Sequence, residues 1–132
     1  MKTISDINEF LKSRRSIRKF KDTDIPEDTI DKILEAGRWA VSGRNSQPWR
    51  FVIVKDKKVK HELSRLTKYE SFIETSNVSI AVFFNHAAGY DRDKDMMGMG
   101  ACMQNMLLAV HFFGLGAVWI GQILAKKILT TH

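Results

Sequence analysis

From Met96 to Gly121 the sequence contains no Asp, Glu, Lys or Arg. A stretch of that length without charge has two homes, a bilayer or the interior of a folded domain. Gln104, Asn105 and His111 interrupt it, and Gly114 and Gly116 break it near its end. Those interruptions favour the interior. The stretch then reads as a long Met-rich buried helix over about 94–113, stopped at Gly114-Leu115-Gly116, where glycine takes the left-handed cap conformation. A short strand over 117–120 and a weakly helical tail over 122–132 follow. Met96, Met97, Met99, Met103 and Met106 read as filler of a core or of a subunit interface.

The remainder of the chain must supply what covers that helix. Ile4, Ile7, Phe10 and Leu11 recur at helical spacing and predict a first helix over 3–13. A second runs from Pro26 to about Ala40, with Ile30, Ile33, Leu34 and Ala40 inward. Residues 50–55 and 78–85 have the β-branched or continuous apolar character of strands, the latter that of a central strand. Residues 57–67 return to helical spacing through Val59, Leu63 and Leu66, and a short helix follows over 69–76. Two helices precede the first strand, and strict strand–helix alternation is absent. The expected class is α+β in a single domain, residues 1–132, and 132 residues suffice for one core.

Charge is distributed unevenly. The 21 basic and 15 acidic side chains leave a net charge of +6, and residues 12–21 hold six basic and no acidic residues. That single stretch carries the entire excess. Clustered guanidinium groups attract and fork onto phosphate oxygens. A solvated charge run, a nucleic-acid patch and an ordered phosphate site are the three readings. Ile17 and Phe20, interleaved with the cations, favour a segment pinned to the domain and hence the third. If the segment is extended, Arg14, Ser16 and Arg18 share one face. A nucleic-acid surface would need more interleaved aromatics than Phe20.

Two further stretches carry candidate chemistry. Ser42 to Pro48 is a polar loop of strong turn residues, in which Asn45 and Gln47 suit the amide edges of a heterocycle. Trp49 beside it reads as core. Gly114 to Gly121 lacks the spacing of a dinucleotide fingerprint and follows a helix, so it reads as a helix stop and a close backbone approach. His61, His86, His111 and His132 lack metal-ligand spacing, and His111 reads as a satisfied core histidine. Cys102, the single cysteine, reads as buried and inert. No apolar leader is evident at the N-terminus, and the default location is the cytoplasm.

Taken together, three stretches resemble the motifs of the nitroreductase family of flavin mononucleotide (FMN) enzymes. They are Arg14-Arg-Ser-Ile-Arg-Lys-Phe20, Ser42-Gly-Arg-Asn-Ser-Gln-Pro-Trp49, and Gln104-Asn-Met-Leu-Leu-Ala with Gly114-Leu-Gly-Ala-Val-Trp-Ile-Gly121. The resemblance implies an antiparallel sheet flanked by helices, in a homodimer with FMN at its interface. Arg14, Arg15 and Ser16 would hold the FMN phosphate and ribityl chain, and Arg18 would approach the pyrimidine edge of the flavin. Val41, Ser42, Gly43 and Asn45 would reach the same flavin from the partner subunit. Gln104 would lie near it, and Ile120 and Gly121 would border the ring. The activity implied is NADH- or NADPH-dependent reduction of nitroaromatics, quinones or another small electron-poor acceptor, in ping-pong order and with no catalytic side chain. Val41 stands where the family often has proline. The family also usually continues for tens of residues past the third motif, whereas this sequence ends at His132. A domain short at its C-terminus is the corresponding expectation, and a degenerate flavin binder without catalysis is the alternative to the enzyme.

Overall fold

The computed structural model describes residues 6–121. Ile4, the tail over 122–132 and His132 lie outside the described residues. Helix α1 (Ile7–Ser13) opens on Asp6, whose carboxylate accepts from the Asn8 amide at 3.0 Å, relieving one of the unpaired donors of a helix start. It buries none of its residues, and Ile7 and Leu11 stay exposed. The inward face expected of it is not formed among the described residues. It is attached through Phe10, which stacks on His111 at 5.1 Å and meets Phe112 edge-on at 6.4 Å, and through the Ser13 hydroxyl, 2.7 Å from the His111 Nε2.

Helix α2 (Glu27–Arg38) takes Pro26 as its N-cap, with Glu27 and Asp28 in its first turn, where they complement the positive helix end. Ile30 and Ile33 are buried, and Leu34 and Ala40 pack on the core. Past its end, the Trp39 indole N–H donates to Glu35 at 2.7 Å and the ring faces solvent. Donation from Arg38 and then from Trp39 lowers the pKa of Glu35.

Strands β1 (Trp49–Val54) and β2 (Ser79–Phe84) pair antiparallel, from Trp49 opposite Phe84 to Val54 opposite Ser79. They form the only sheet among the described residues. β2 therefore has β1 as its sole neighbour there and is not flanked on both sides as a central strand would be. Between the strands lie α3 (Lys57–Ser64) and α4 (Glu70–Glu74). The phase expected for α3 is off by one residue. Val59 is exposed and Lys60 is buried, its ammonium group donating to the Ser76 carbonyl at 2.5 Å. That bond meets the cost of enclosing a polar group.

Helix α5 (Arg92–Phe112) is the long helix and begins two residues earlier than expected. Asp91 caps it through the Lys94 amide at 3.0 Å. Met99, Cys102 and Met106 recur three or four residues apart and face inward, with Gly98 beside them. Met99, Cys102 and Met106 join Ile33 and Trp49 to form the core, with Phe51, Ile80, Val82 and Phe84 of the sheet packed on it. Met97, by contrast, is exposed. The helix closes against α2 where Gly37 leaves room for Met106; a Cβ at Gly37 would lie 2.8 Å from the Met106 Cγ. Its end is the expected glycine stop, with Gly114 at φ +73° and the Leu115 amide bonded to the Val110 carbonyl at 3.0 Å. No helix among the described residues is long and apolar enough to cross a membrane.

The strand expected over 117–120 does not form. A single parallel bridge joins Ser16 and Ala117, through the Ile17 amide and the Ala117 carbonyl at 2.9 Å. A strand requires a continuous partner, and the basic segment offers one contact only.

Candidate functional site

The basic segment starts where α1 stops. Arg14 is the C-cap residue of α1, with extended backbone angles. Arg15 folds back, its guanidinium donating to the Lys12 carbonyl at 2.8 Å and to the Arg14 carbonyl at 3.1 Å. It thereby covers carbonyls that a helix end leaves unpaired. Ile17 then fastens the segment to the chain beyond α5 through its amide and by seating its side chain on Gly116. The pinning expected from Ile17 is real, although the residue stays partly exposed.

A cavity of about 350 Å³ opens beside this segment. Ser13, Arg14 and Arg15 form one wall, and Leu107, Val110, His111, Gly114 and Ala117 the other. The Arg14 guanidinium has no hydrogen-bond or ion-pair partner among the described residues, although the residue is half-buried. Such a cation beside a cavity is suited to an anionic ligand. Of Arg14, Ser16 and Arg18, expected on one face, only Arg14 lines this cavity, and Arg15 lines it beside Arg14. Ser16 is held by the bridge to Ala117, and Arg18 is drawn outward, its guanidinium 5.9 Å from the centre of the Phe72 ring.

The second constellation lies elsewhere. Residues 43–45 form a short 3₁₀ turn in which Arg44 and Asn45 have φ of 55° and 53°, and Gln47 follows at 47°. Non-glycine residues there cost free energy, which Asn tolerates best. The Ser42 hydroxyl accepts from the Gln47 amide at 3.1 Å, and the Gln47 side chain donates to that of Asn45 at 2.8 Å. The two amide side chains thus engage each other. Tyr90 covers Gly43 so closely that no Cβ fits, and the Arg44 guanidinium lies 4.6 Å from the centre of its ring. Val41 is exposed and packs its carbonyl near Gly98.

The third set is dispersed. Gln104 is exposed on α5, Ile120 is half-buried, and Gly121 is exposed with Trp119 as its near neighbour. The structure therefore unites Arg14 and Arg15 with the Gly114–Ala117 segment and leaves Val41, Ser42, Gly43 and Asn45 in a separate place. Cys102 is fully buried, and burial pushes its thiol pKa up to about 11.

Sequence reasoning missed three participants, Ser13, His111 and Tyr90. His111 is satisfied, as expected, but on the cavity wall instead of in the core: its Nε2 lies 2.7 Å from the Ser13 hydroxyl. Leu107, Val110 and His111 of α5, with Gly114 just past its end, recur at helical spacing along one side. That periodicity was the available signal.

A family model described as "Nitroreductase family" matches residues 11–70 and 61–132. A protein of Methanothermobacter thermautotrophicus named "Putative NADH dehydrogenase/NAD(P)H nitroreductase" is 34% identical over 116 residues, covering 88% of this chain and 61% of that protein. The chain thus spans less than two thirds of that relative's length. A crystal structure described as "a putative nitroreductase in complex with FMN", from Desulfovibrio desulfuricans, superposes with a TM-score of 0.88 at 37% identity, over 98% of this chain and 77% of that one. The FMN-dependent nitroreductase of Clostridium difficile superposes at 0.78 with 27% identity, over 95% of this chain and 76% of that one. With both halves of the sequence matched and the helix-flanked antiparallel pair in place, the chain belongs to the nitroreductase family.

Proposed function

We propose that the chain is an FMN-dependent oxidoreductase, using NADH or NADPH to reduce a nitroaromatic, a quinone or another small electron-poor acceptor. The observation that carries this reading is the half-buried guanidinium of Arg14 on the wall of the cavity, without a partner among the described residues. It fits the phosphate end of FMN, as does the charge concentrated around it. FMN, when bound, would supply the hydride chemistry.

The protein's own residues bind, orient and exclude. Arg14 would take the phosphate by charge-assisted hydrogen bonds. Arg15, spent on the end of α1, would hold the backbone beneath it and add long-range positive potential. The Ser16 hydroxyl would serve the ribityl chain. Arg18, resting on Phe72, would present its charge toward the pyrimidine edge, where a fixed cation stabilises developing negative charge. Gln104, Ile120 and Gly121 would border the ring. Solvent would supply protons, so no side chain is assigned as acid or base. Donor and acceptor would use one position in turn, which is ping-pong order.

A second copy of the chain would bring Val41, Ser42, Gly43 and Asn45 to the same cofactor. Their separation from Arg14 within one chain supports that arrangement, as does the exposure of Trp39 at 79% and Val41 at 80%. The test is the visible spectrum of the purified protein. Flavin absorbance bleached by NADH or NADPH is the expected result. Flavin absorbance that neither nucleotide bleaches would make the protein a flavin binder without this activity. A colourless protein that takes up no added FMN would overturn the reading.

A further inference from the structure

We propose that His111 is a positioning residue for the phosphate end of the cofactor site, and that it sets the preference for a phosphorylated over an unphosphorylated flavin. The proposal rests on the FMN reading and deepens it. Three consecutive residues carry the argument. Ser13 is tied to α5 through His111 at 2.7 Å. Arg15 is tied to the end of α1 through the Lys12 and Arg14 carbonyls. Arg14, between them, has a guanidinium committed to nothing among the described residues. The backbone is thus fastened on both sides of one free cation.

The hydrogen-bond pattern also orients the imidazole. The Ser13 hydroxyl has one proton, and the Phe10 carbonyl accepts it at 2.9 Å. With its proton so placed, the hydroxyl accepts from Nε2 in the tautomer protonated there. Phe10 stacks on the same ring at an interplanar angle of 20°, and Phe112 meets Phe10 edge-on. The imidazole is thereby held in place between helix and hydroxyl.

This tie matters because α1 has few others. It buries none of its residues, and Ile7 is 64% exposed. Loss of the bond frees the end of α1 and with it the direction from which Arg14 enters the cavity. An anion loses the benefit of a pre-set guanidinium, whereas a flavin without phosphate loses nothing at that end.

Flavin-free full-length protein should be titrated with FMN and with riboflavin, following quenching of flavin fluorescence. His111→Leu is expected to raise the Kd for FMN about tenfold, the scale of one hydrogen bond, and to change that for riboflavin less than about twofold. His111→Gln, whose amide nitrogen can reach the Ser13 hydroxyl, should recover most of the FMN affinity. Ser13→Ala should reproduce the effect of His111→Leu from the other side, and it tests the same bond at an exposed position. An FMN-to-riboflavin ratio unchanged in Ser13→Ala, or equal weakening of both flavins, overturns the proposal while leaving FMN binding by the native protein intact. A native protein that binds neither flavin overturns this proposal and the FMN reading together.

Discussion

The amide of Ile17 donates to the carbonyl of Ala117 at 2.9 Å, and the Ile17 side chain sits where a Cβ on Gly116 would fall. This contact joins the most charged part of the sequence to a stretch without charge. It also brings the first and third family motifs together, across almost the whole described chain.

Gly116→Ala should therefore act on the basic segment. The new methyl would lie 2.7 Å from the Ile17 Cγ2 and 2.9 Å from its Cβ, a branched and stiff neighbour. Overpacking of this kind costs about 1–3 kcal/mol. The expected outcome is lower stability in urea unfolding together with weaker FMN binding. Ile17→Ala in the same chain should restore part of both, and a double-mutant cycle measures the coupling. Additive effects would show that the contact does not hold the segment.

Much of this arrangement was legible from sequence, and the exceptions have physical causes. Gly114 stops α5 because a local backbone conformation requires it, and local requirements are visible in a sequence. Trp49 and Cys102 are buried by hydrophobicity alone. Lys60 in place of Val59 was not legible, because α3 is too short to fix its own phase and the deciding partner is the Ser76 carbonyl. The strand expected over 117–120 failed because strand formation depends on a neighbour. At the site, the positive segment and the glycine stop were visible. The bond between Ser13 and His111 was not, since 98 positions separate them. Nor did residue type reveal that Arg15 is spent on its own helix while Arg14 is not.

Asp95 fixes the start of α5. It is only 3% exposed, and its Oδ2 accepts from the amides of Tyr90 at 2.9 Å and Asp91 at 3.1 Å. Asp95→Ala takes the shared acceptor from two part-buried amide bonds, at about 1–3 kcal/mol. Asp95→Asn keeps an acceptor oxygen but places its amide nitrogen at Oδ1, which has no partner among the described residues. Urea unfolding should rank the native chain first, Asn second and Ala last. Because Tyr90 covers Gly43, amide exchange should also quicken in the 42–47 loop of the Ala variant. Unchanged exchange there would confine the effect to the helix start.

Cys102 should be silent toward thiol reagents in the native protein. Burial raises its pKa to about 11, so at pH 8 about one molecule in a thousand carries the thiolate. An Ellman assay in buffer should show slow modification whose rate follows opening of the core, and rapid modification in denaturant. The sign of the stability effect follows. A thiol in the unfolded chain titrates near pH 8.5. The contribution of Cys102 is therefore fully present below that pH and is lost as pH rises toward about 11. Cys102→Ser should remove this alkaline loss while lowering stability at neutral pH, since it places a hydroxyl in an apolar core.

Arg18→Met separates charge from shape at the remaining arginine of the first motif. Methionine keeps an unbranched apolar stem against the half-buried Phe72 and removes the guanidinium, whose interaction with a ring is about 0.5–1 kcal/mol for an exposed cation. Stability should change little, because Arg18 is exposed and its loss leaves no buried group unpaired. If the guanidinium acts at the flavin, the variant should bind FMN more weakly and be bleached more slowly by NADH or NADPH. One lost charge-assisted hydrogen bond corresponds to about tenfold or more in affinity. Arg18→Lys should recover part of the loss, since the charge returns without the fork. Flavin titration and stopped-flow absorbance give the two readings independently. Unaltered binding and bleaching in Arg18→Met would exclude Arg18 from the site and leave its cation with Phe72 alone.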